Sequence, residues 1–234
     1  MPIIPETADP DLVAKRFIDQ STGKSHTVYY YKRKLVPQVR LNGTLSEQVA
    51  GYALIEKDLQ NALRWYKKLT ELVEPFRSKR GEKYTVGTNR DVFDVAKGLF
   101  VAALTFYGKC FTQCEGRRAQ LNRSMLASEL RGTHDNYMLY RNSFAAHSGR
   151  EKLEHAAASL LLHPKKKKQL VPRLVVNRYQ PDFILSTDGE PGLSELIVNA
   201  ISVANDRHDR VTRRLMETEV MPKGLDHWYR QAKK

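Results

Sequence analysis

An arginine, an amide and a histidine lie close together in one short stretch, Arg141-Asn142 followed by His147. An arginine can hold a phosphate through two parallel hydrogen bonds and stabilise charge in a phosphorane-like transition state. A histidine can accept or donate a proton near neutral pH, and an amide can orient either neighbour or donate to a phosphate oxygen. Cleavage of RNA by its own 2′-hydroxyl needs such groups and no metal.

The spacing does not stack these groups on one helical face. Six positions at about 100° each place His147 about 120° round the helix from Arg141. The two side chains could flank one cleft, or a two-fold dimer could bring two copies together. The alternatives are structural: Arg141 could pair with Asp135 or Glu129, and His147 could interact with the dipole of a helix end.

The elements that must position this stretch are predicted to be mainly helical, because apolar residues recur with a period of about 3.6. The second helix is apolar on nearly all sides, which indicates a central, buried element. Gly132 and Thr133 interrupt the third, and His134 is interpreted as a residue of the cap region beside them. The four predicted helices run from Ser46 to about Glu74, from Thr88 to Gly116-Arg118, from about Ser124 to Ser148, and from about Gly192 to Val220.

A small β insertion is predicted before the last helix, at about 155–187. Three short, apolar, partly β-branched runs separated by prolines favour a hairpin or meander with a basic loop. These runs are Ala156–Leu162, Leu174–Tyr179 and Phe183–Ser186.

The sequence therefore predicts three parts of the chain: an irregular segment at 1–44, a helical domain at 45–220 and a tail at 221–234. Within the first segment, Thr27–Tyr31 reads as a strand. Its tyrosines precede Lys32, Arg33 and Lys34, so aromatic rings beside cations could stack bases, or the strand could simply end in a solvated basic turn. The predicted fold is a bundle of four to five helices with the β insertion.

The string Arg141-Asn142-Ser143-Phe144-Ala145-Ala146-His147-Ser148 resembles the signature of the HEPN superfamily. Those helical-bundle domains carry an Arg, four to six residues, and then a His, often with a polar residue just after the Arg. The resemblance covers about residues 46–150, with the last helix as a further member of the bundle.

This resemblance implies a metal-independent endoribonuclease, of a kind frequently found among toxins and phage-defence effectors. It implies that Arg141 stabilises phosphate, that Asn142 supports it, and that His147 acts as general acid or base. It also implies an active site formed across a homodimer through the helix that carries Arg141 and His147, with any antitoxin or regulatory partner a separate chain. Other members are inactive and bind RNA or nucleotide.

The charge of the chain favours a polyanionic partner, with RNA as the expected one. Of its 234 residues, 39 are Lys or Arg and 26 are Asp or Glu, which leaves a net charge of +13. Besides the catalytic set, predicted nucleic-acid contacts are Lys165, Lys166, Lys167 and Lys168 in the basic loop, and Arg117 and Arg118 after the second helix. A non-catalytic binding or regulatory module, and a structural protein with an acidic partner, remain alternatives.

Several classes of protein are disfavoured. No apolar run approaches the roughly 20 residues that a membrane span needs, and the start does not read as a secretory signal. Cys110 and Cys114 are interpreted as small buried hydrophobes that suit a reducing cytoplasm. No metal-binding or phosphate-loop motif occurs in the sequence, so no cofactor or metal is expected.

Overall fold

The computed structural model describes residues 9–77, 89–145, 155–162, 173–179, 181–186 and 189–232. Two compact units make up the chain: residues 43–213 form one, and residues 1–42 together with 214–234 form the other. The predicted mainly helical fold is confirmed, with the helical bundle in the larger unit.

Helix α1 spans Thr44–Val73, close to the predicted Ser46–Glu74. It follows Gly43, whose φ of 126° is a conformation that suits glycine. Its buried face carries Ile55, Leu59 and Leu69, which recur at helical spacing. A 3-10 turn at Glu74–Phe76 ends it, because Pro75 fits a first turn but not a continuing helix.

Helix α2 spans Arg90–Cys110 and packs along α1. The predicted start at Thr88 lies outside the described residues. The helix ends earlier than the predicted Gly116, since the chain turns after Phe111 and closes a short bridge between Cys114 and Arg117. Phe93, Phe100 and Tyr107 are buried, as expected for a central helix.

The third predicted helix begins later than its apolar pattern indicated. Residues Arg123–Met125 and Ser128–Leu130 form two 3-10 turns, and α3 then spans Arg131–Ala145. Gly132 and Thr133 therefore lie inside its first turn and do not interrupt it. The predicted end at Ser148–Gly149 lies outside the described residues.

The β insertion is confirmed as an antiparallel hairpin of β4, His155–Leu161, and β5, Arg173–Tyr179. The third predicted strand, Phe183–Ser186, forms none: its first three residues are half-buried and pack as an extended segment against the helical core. The loop carrying Lys165, Lys166, Lys167 and Lys168 lies outside the described residues.

The last long helix, α4, spans Leu193–Leu215 and buries Leu196, Ile197 and Ala200 in the bundle core. The predicted continuation to Val220 is a π-helical turn, Met216–Val220, followed by a 3-10 turn at Met221–Lys223. The predicted tail then forms α5, Gly224–Ala232. Trp228 Nε1 donates to the Val220 carbonyl at 2.9 Å, which satisfies a group that the helix leaves unpaired. No helix within the described ranges is long and apolar enough to cross a membrane.

The N-terminal segment is more regular than predicted. Strands β1, Leu12–Ile18, β2, Ser25–Tyr31, and β3, Lys34–Leu35, form an antiparallel sheet in the order β1-β2-β3. Only β2 was indicated by the sequence. Lys32 and Arg33 join β2 to β3 with positive φ values of 47° and 67°, as in a tight hairpin turn.

The surroundings of two helical glycines predict opposite effects on stability when each is replaced by alanine. A Cβ at Gly51 would lie 2.7 Å from Ala119 Cβ and 3.1 Å from Ala119 N, so Gly51→Ala should destabilise the fold by about 1–3 kcal/mol. Gly98→Ala meets no described atom within 4 Å and should stabilise α2 by about 0.5–1 kcal/mol. Urea denaturation measures both, and a destabilised Gly98→Ala would contradict this packing.

Candidate functional site

Arg141 lies on α3, and its side chain packs against the backbone of α2. A Cβ added at Gly108 of α2 would lie 3.2 Å from Cγ, Cδ and Nε of Arg141. The half-buried Arg141 side chain therefore runs over the α2 backbone at a point where any larger residue would push it aside. This contact fixes the stem of the arginine and leaves its far end to other partners.

The far end of Arg141 is held by its neighbour. Nη1 donates to Asn142 Oδ1 at 3.1 Å, and Asn142 is exposed. The amide uses its oxygen in this bond, so its NH2 group can still donate to an anion. The structure thus shows a side-chain hydrogen bond between two of the three predicted catalytic residues.

The two acidic residues that could have neutralised Arg141 are engaged elsewhere. Arg123 Nε and Nη2 donate to the two carboxylate oxygens of Asp135, both at 2.7 Å, and these bonds lower the pKa of Asp135. Glu129 accepts from Ser128 Oγ at 3.1 Å. Among the residues that the structure describes, no carboxylate lies within 4.0 Å of Arg141. The Arg141 guanidinium therefore forms no ion pair within the described part of the chain.

The third member of the predicted set, His147, lies outside the described residues. The same holds for the four lysines of the basic loop.

Arg117 does not fit its predicted role as a nucleic-acid contact. Its side chain is 4% exposed, with Nη1 3.5 Å from the buried carboxylate of Asp58 and Nη2 donating to the Lys109 carbonyl at 2.6 Å. Lys109 Nζ lies 3.0 Å from the same carboxylate. The buried Arg117–Asp58 pair links the loop after α2 to α1, and removing either partner would leave an unpaired buried charge.

Arg118, in contrast, is 63% exposed and pairs with Glu47 at 2.6 Å through its Nε. An exposed pair of this kind is weak and can exchange for a phosphate. The prediction that Arg118 contacts nucleic acid stays a prediction.

A buried pair that the sequence did not indicate lies on the same face of α3 as Arg141. His134 Nδ1 is 2.7 Å from Tyr107 Oη, and its ring packs 4.5 Å from that of Phe111. The residue is inside the helix and buried, which corrects its assignment to the cap region. Its spacing of seven from Arg141 was the signal available, since residues seven apart share a helical face.

Burial determines the ionisation of this pair. It lowers the pKa of His134 and raises that of Tyr107, so both are neutral at neutral pH. Their hydrogen bond joins α3 to α2 inside the bundle.

Both cysteines are free thiols. Cys110 is buried, and burial raises its pKa to about 12, which matches the predicted small hydrophobe. Cys114 is half-buried and also free. Within the described ranges, no three His, Cys, Asp or Glu side chains group as they would around a metal.

A groove of about 410 Å³ lies along the adjacent face of α3, lined by Tyr137, Tyr140 and the segment Ile184–Ser186. Glu129 and Glu190 also line it. Their carboxylates would repel a phosphate backbone, so the side of α3 that carries Arg141 is the better place for one.

Comparison of the chain with protein-family models, with curated proteins and with solved structures gives no match.

The buried imidazole predicts a specific dependence of stability on pH. The pKa of His134 is lower in the folded protein than the value of about 6.5 expected when unfolded. Its stabilising contribution is therefore complete above about pH 6.5 and is lost as the pH falls toward the folded-state pKa. The free energy of unfolding of the parent should fall between about pH 7.5 and 5.5, and that of His134→Gln should fall less.

His26→Gln, on the exposed β2 strand, is the control and should keep the parent's pH dependence. An unchanged slope in His134→Gln would contradict a neutral, buried His134.

Proposed function

We propose that the protein is a metal-independent endoribonuclease in which Arg141, Asn142 and His147 act on the scissile phosphate. The observation that carries this proposal is the Arg141 guanidinium, anchored over Gly108, oriented by Asn142 and without a carboxylate partner among the described residues. A guanidinium in this state is suited to bind a phosphate and to stabilise the charge that develops on it.

The reaction would proceed by attack of the RNA's own 2′-hydroxyl oxygen on the adjacent phosphorus. A base takes the 2′-hydroxyl proton, the bond from phosphorus to the 5′-oxygen breaks, and an acid gives that oxygen a proton. The products are a 2′,3′-cyclic phosphate and a free 5′-hydroxyl. Arg141 would stabilise the negative charge on the non-bridging oxygens of the five-coordinate phosphorus, and His147 would give or take one of the two protons.

One histidine cannot be both base and acid in the same step, which gives a chemical reason for a dimeric site. A two-fold axis beside α3 would bring a second Arg141–His147 pair to the same phosphate. The resemblance to HEPN domains supports this arrangement, and a toxin or phage-defence effector with a separate antitoxin or regulatory chain is the role that it implies. The net charge of +13 would attract RNA from a distance.

The most direct test of the catalytic residues is cleavage of a labelled RNA pool in EDTA. The parent should produce cyclic-phosphate ends, and Arg141→Ala and His147→Ala should each reduce the rate at least about a hundredfold. Arg64→Ala removes an exposed arginine of α1 and should cleave as the parent does. RNA that is bound in a salt-dependent way but never cut would instead identify a non-catalytic RNA-binding module.

The anchoring of Arg141 over α2 can be tested without touching the reactive groups. Gly108→Ala places a methyl group against Cγ, Cδ and Nε of Arg141, so cleavage should fall about tenfold or more while the protein stays folded. Gly98→Ala, on the same helix, is the matched control and should leave the rate unchanged. Equal rates for both variants would show that this contact does not position Arg141.

The shared site predicts that an inactive chain suppresses the parent. If the two Arg141–His147 pairs of a dimer act on one phosphate, a dimer of one parent chain and one His147→Ala chain has a single histidine and should not cleave. Adding an equal amount of His147→Ala chains should therefore lower the activity of the parent to about half, because half of the parent chains enter mixed dimers. Unchanged activity after subunit exchange, or a monomer at micromolar concentration in sedimentation, would argue against a shared site.

A further inference from the structure

One face of the N-terminal sheet carries three aromatic rings and a cation: Phe17, His26 and Lys15 are exposed, and Tyr30 is half-buried. The register pairs Val13 with Tyr30, Lys15 with Val28, and Phe17 with His26. Because side chains alternate along a strand, these six residues share one face, which we name the aromatic face. Val13 and Phe17 on this face are 48% and 45% exposed.

The rings on the aromatic face form two stations with a charge between them. Phe17 and His26 stack with centroids 5.3 Å apart and an interplanar angle of 18°. Tyr30 lies at the other end of the face, about 13 Å away for positions four residues apart along a strand. Lys15 lies between the two stations, with its Nζ 5.1 Å from the Tyr30 ring centre. The flexible side chain of Lys15 lets its ammonium group move from the Tyr30 ring to a bound phosphate.

The surroundings of the aromatic face are basic. Residues 9–42 contain seven Lys or Arg against Asp9, Asp11 and Asp19, a net charge of +4. A second copy of the same face would bring Lys15 against Lys15 and two positive surfaces together, so self-association is disfavoured. A partner with flat apolar rings and a negative backbone matches both features.

We infer that the aromatic face binds single-stranded RNA, with unpaired bases on the two aromatic stations and a phosphate at Lys15. Rings that alternate with cations are the arrangement by which proteins hold single strands, because every base has a face that can stack. A duplex keeps its bases inside and would gain only the charge interaction. The choice of RNA over DNA rests on the proposed function. The inference that the face stacks unpaired bases rests only on the geometry of the sheet.

The experiment measures binding of the full chain to a fluorescent single strand of about 12 nucleotides, a length within the span of common single-strand sites. The probe is 2′-O-methyl RNA, which has no 2′-hydroxyl to attack and is therefore not cut. Phe17→Thr and Tyr30→Thr remove a ring but keep a residue that favours strands, and each should weaken binding about tenfold. Tyr30→Phe keeps the ring and should bind as the parent does.

The matched control is Ile18→Thr. Ile18 is the next residue after Phe17, is 63% exposed, and lies on the opposite face of the sheet. The affinity of the Ile18→Thr variant for the single strand should stay within about twofold of that of the parent, as is usual for a surface substitution away from a binding site. Circular dichroism and thermal unfolding of each variant confirm that the sheet is intact.

Several outcomes would overturn the inference. The first is equal affinity of the Phe17→Thr and Ile18→Thr variants, and the second is an equal loss of single-strand and duplex binding in Phe17→Thr. The third is tighter binding of a DNA strand of the same sequence. The fourth is a dimer of the parent protein that the Phe17→Thr substitution dissociates. The last would make the face a protein interface. Repeating the titration in Arg141→Ala separates the two proposals: binding that persists there supports the aromatic face whether or not the protein cleaves RNA.

Discussion

The close approach of α3 to α2 at Gly108 is the contact on which the candidate site depends. The glycine leaves room for the stem of Arg141, and the Tyr107–His134 hydrogen bond at 2.7 Å joins the same two helices. Arg141 and His134 lie seven residues apart on one face of α3, so the contact that buries the histidine also sets the position of the arginine. Packing and chemistry are therefore coupled through one helix face.

The arginines of this helical unit differ in the partners that their side chains have. Arg117 is buried with Asp58, Arg123 holds Asp135 through two hydrogen bonds, and neither leaves a charge free for a ligand. Arg141 differs because, within the described part of the chain, its recorded side-chain acceptor is the neutral amide of Asn142. In a protein of net charge +13, Arg141 is distinguished from these paired arginines by its packed stem and its neutral acceptor, and not by its charge alone.

The helices were predictable because their buried faces follow a period of 3.6, and the hairpin because its strands are short, apolar and bounded by prolines. Strand β1 was missed since Leu12–Ile18 mixes apolar and charged residues on both faces of an open sheet. The roles of Arg117 and His134 depend on partners that are distant in sequence, Asp58 and Tyr107. Spacing along the chain carries no signal of such pairs, whereas Arg141 and Asn142 are neighbours and their link could be predicted.

The proposed binding of a phosphate by Arg141 can be followed by nitrogen-15 NMR of arginine side chains. The Nε–H signals are recorded while a 2′-O-methyl dinucleotide is added. We expect the signals of Arg141 and of the Asn142 side-chain amide to shift together and saturably, while the signal of Arg123, which is paired with Asp135, stays in place. Shifts of other arginines with an unchanged Arg141 signal would show that Arg141 does not bind the phosphate.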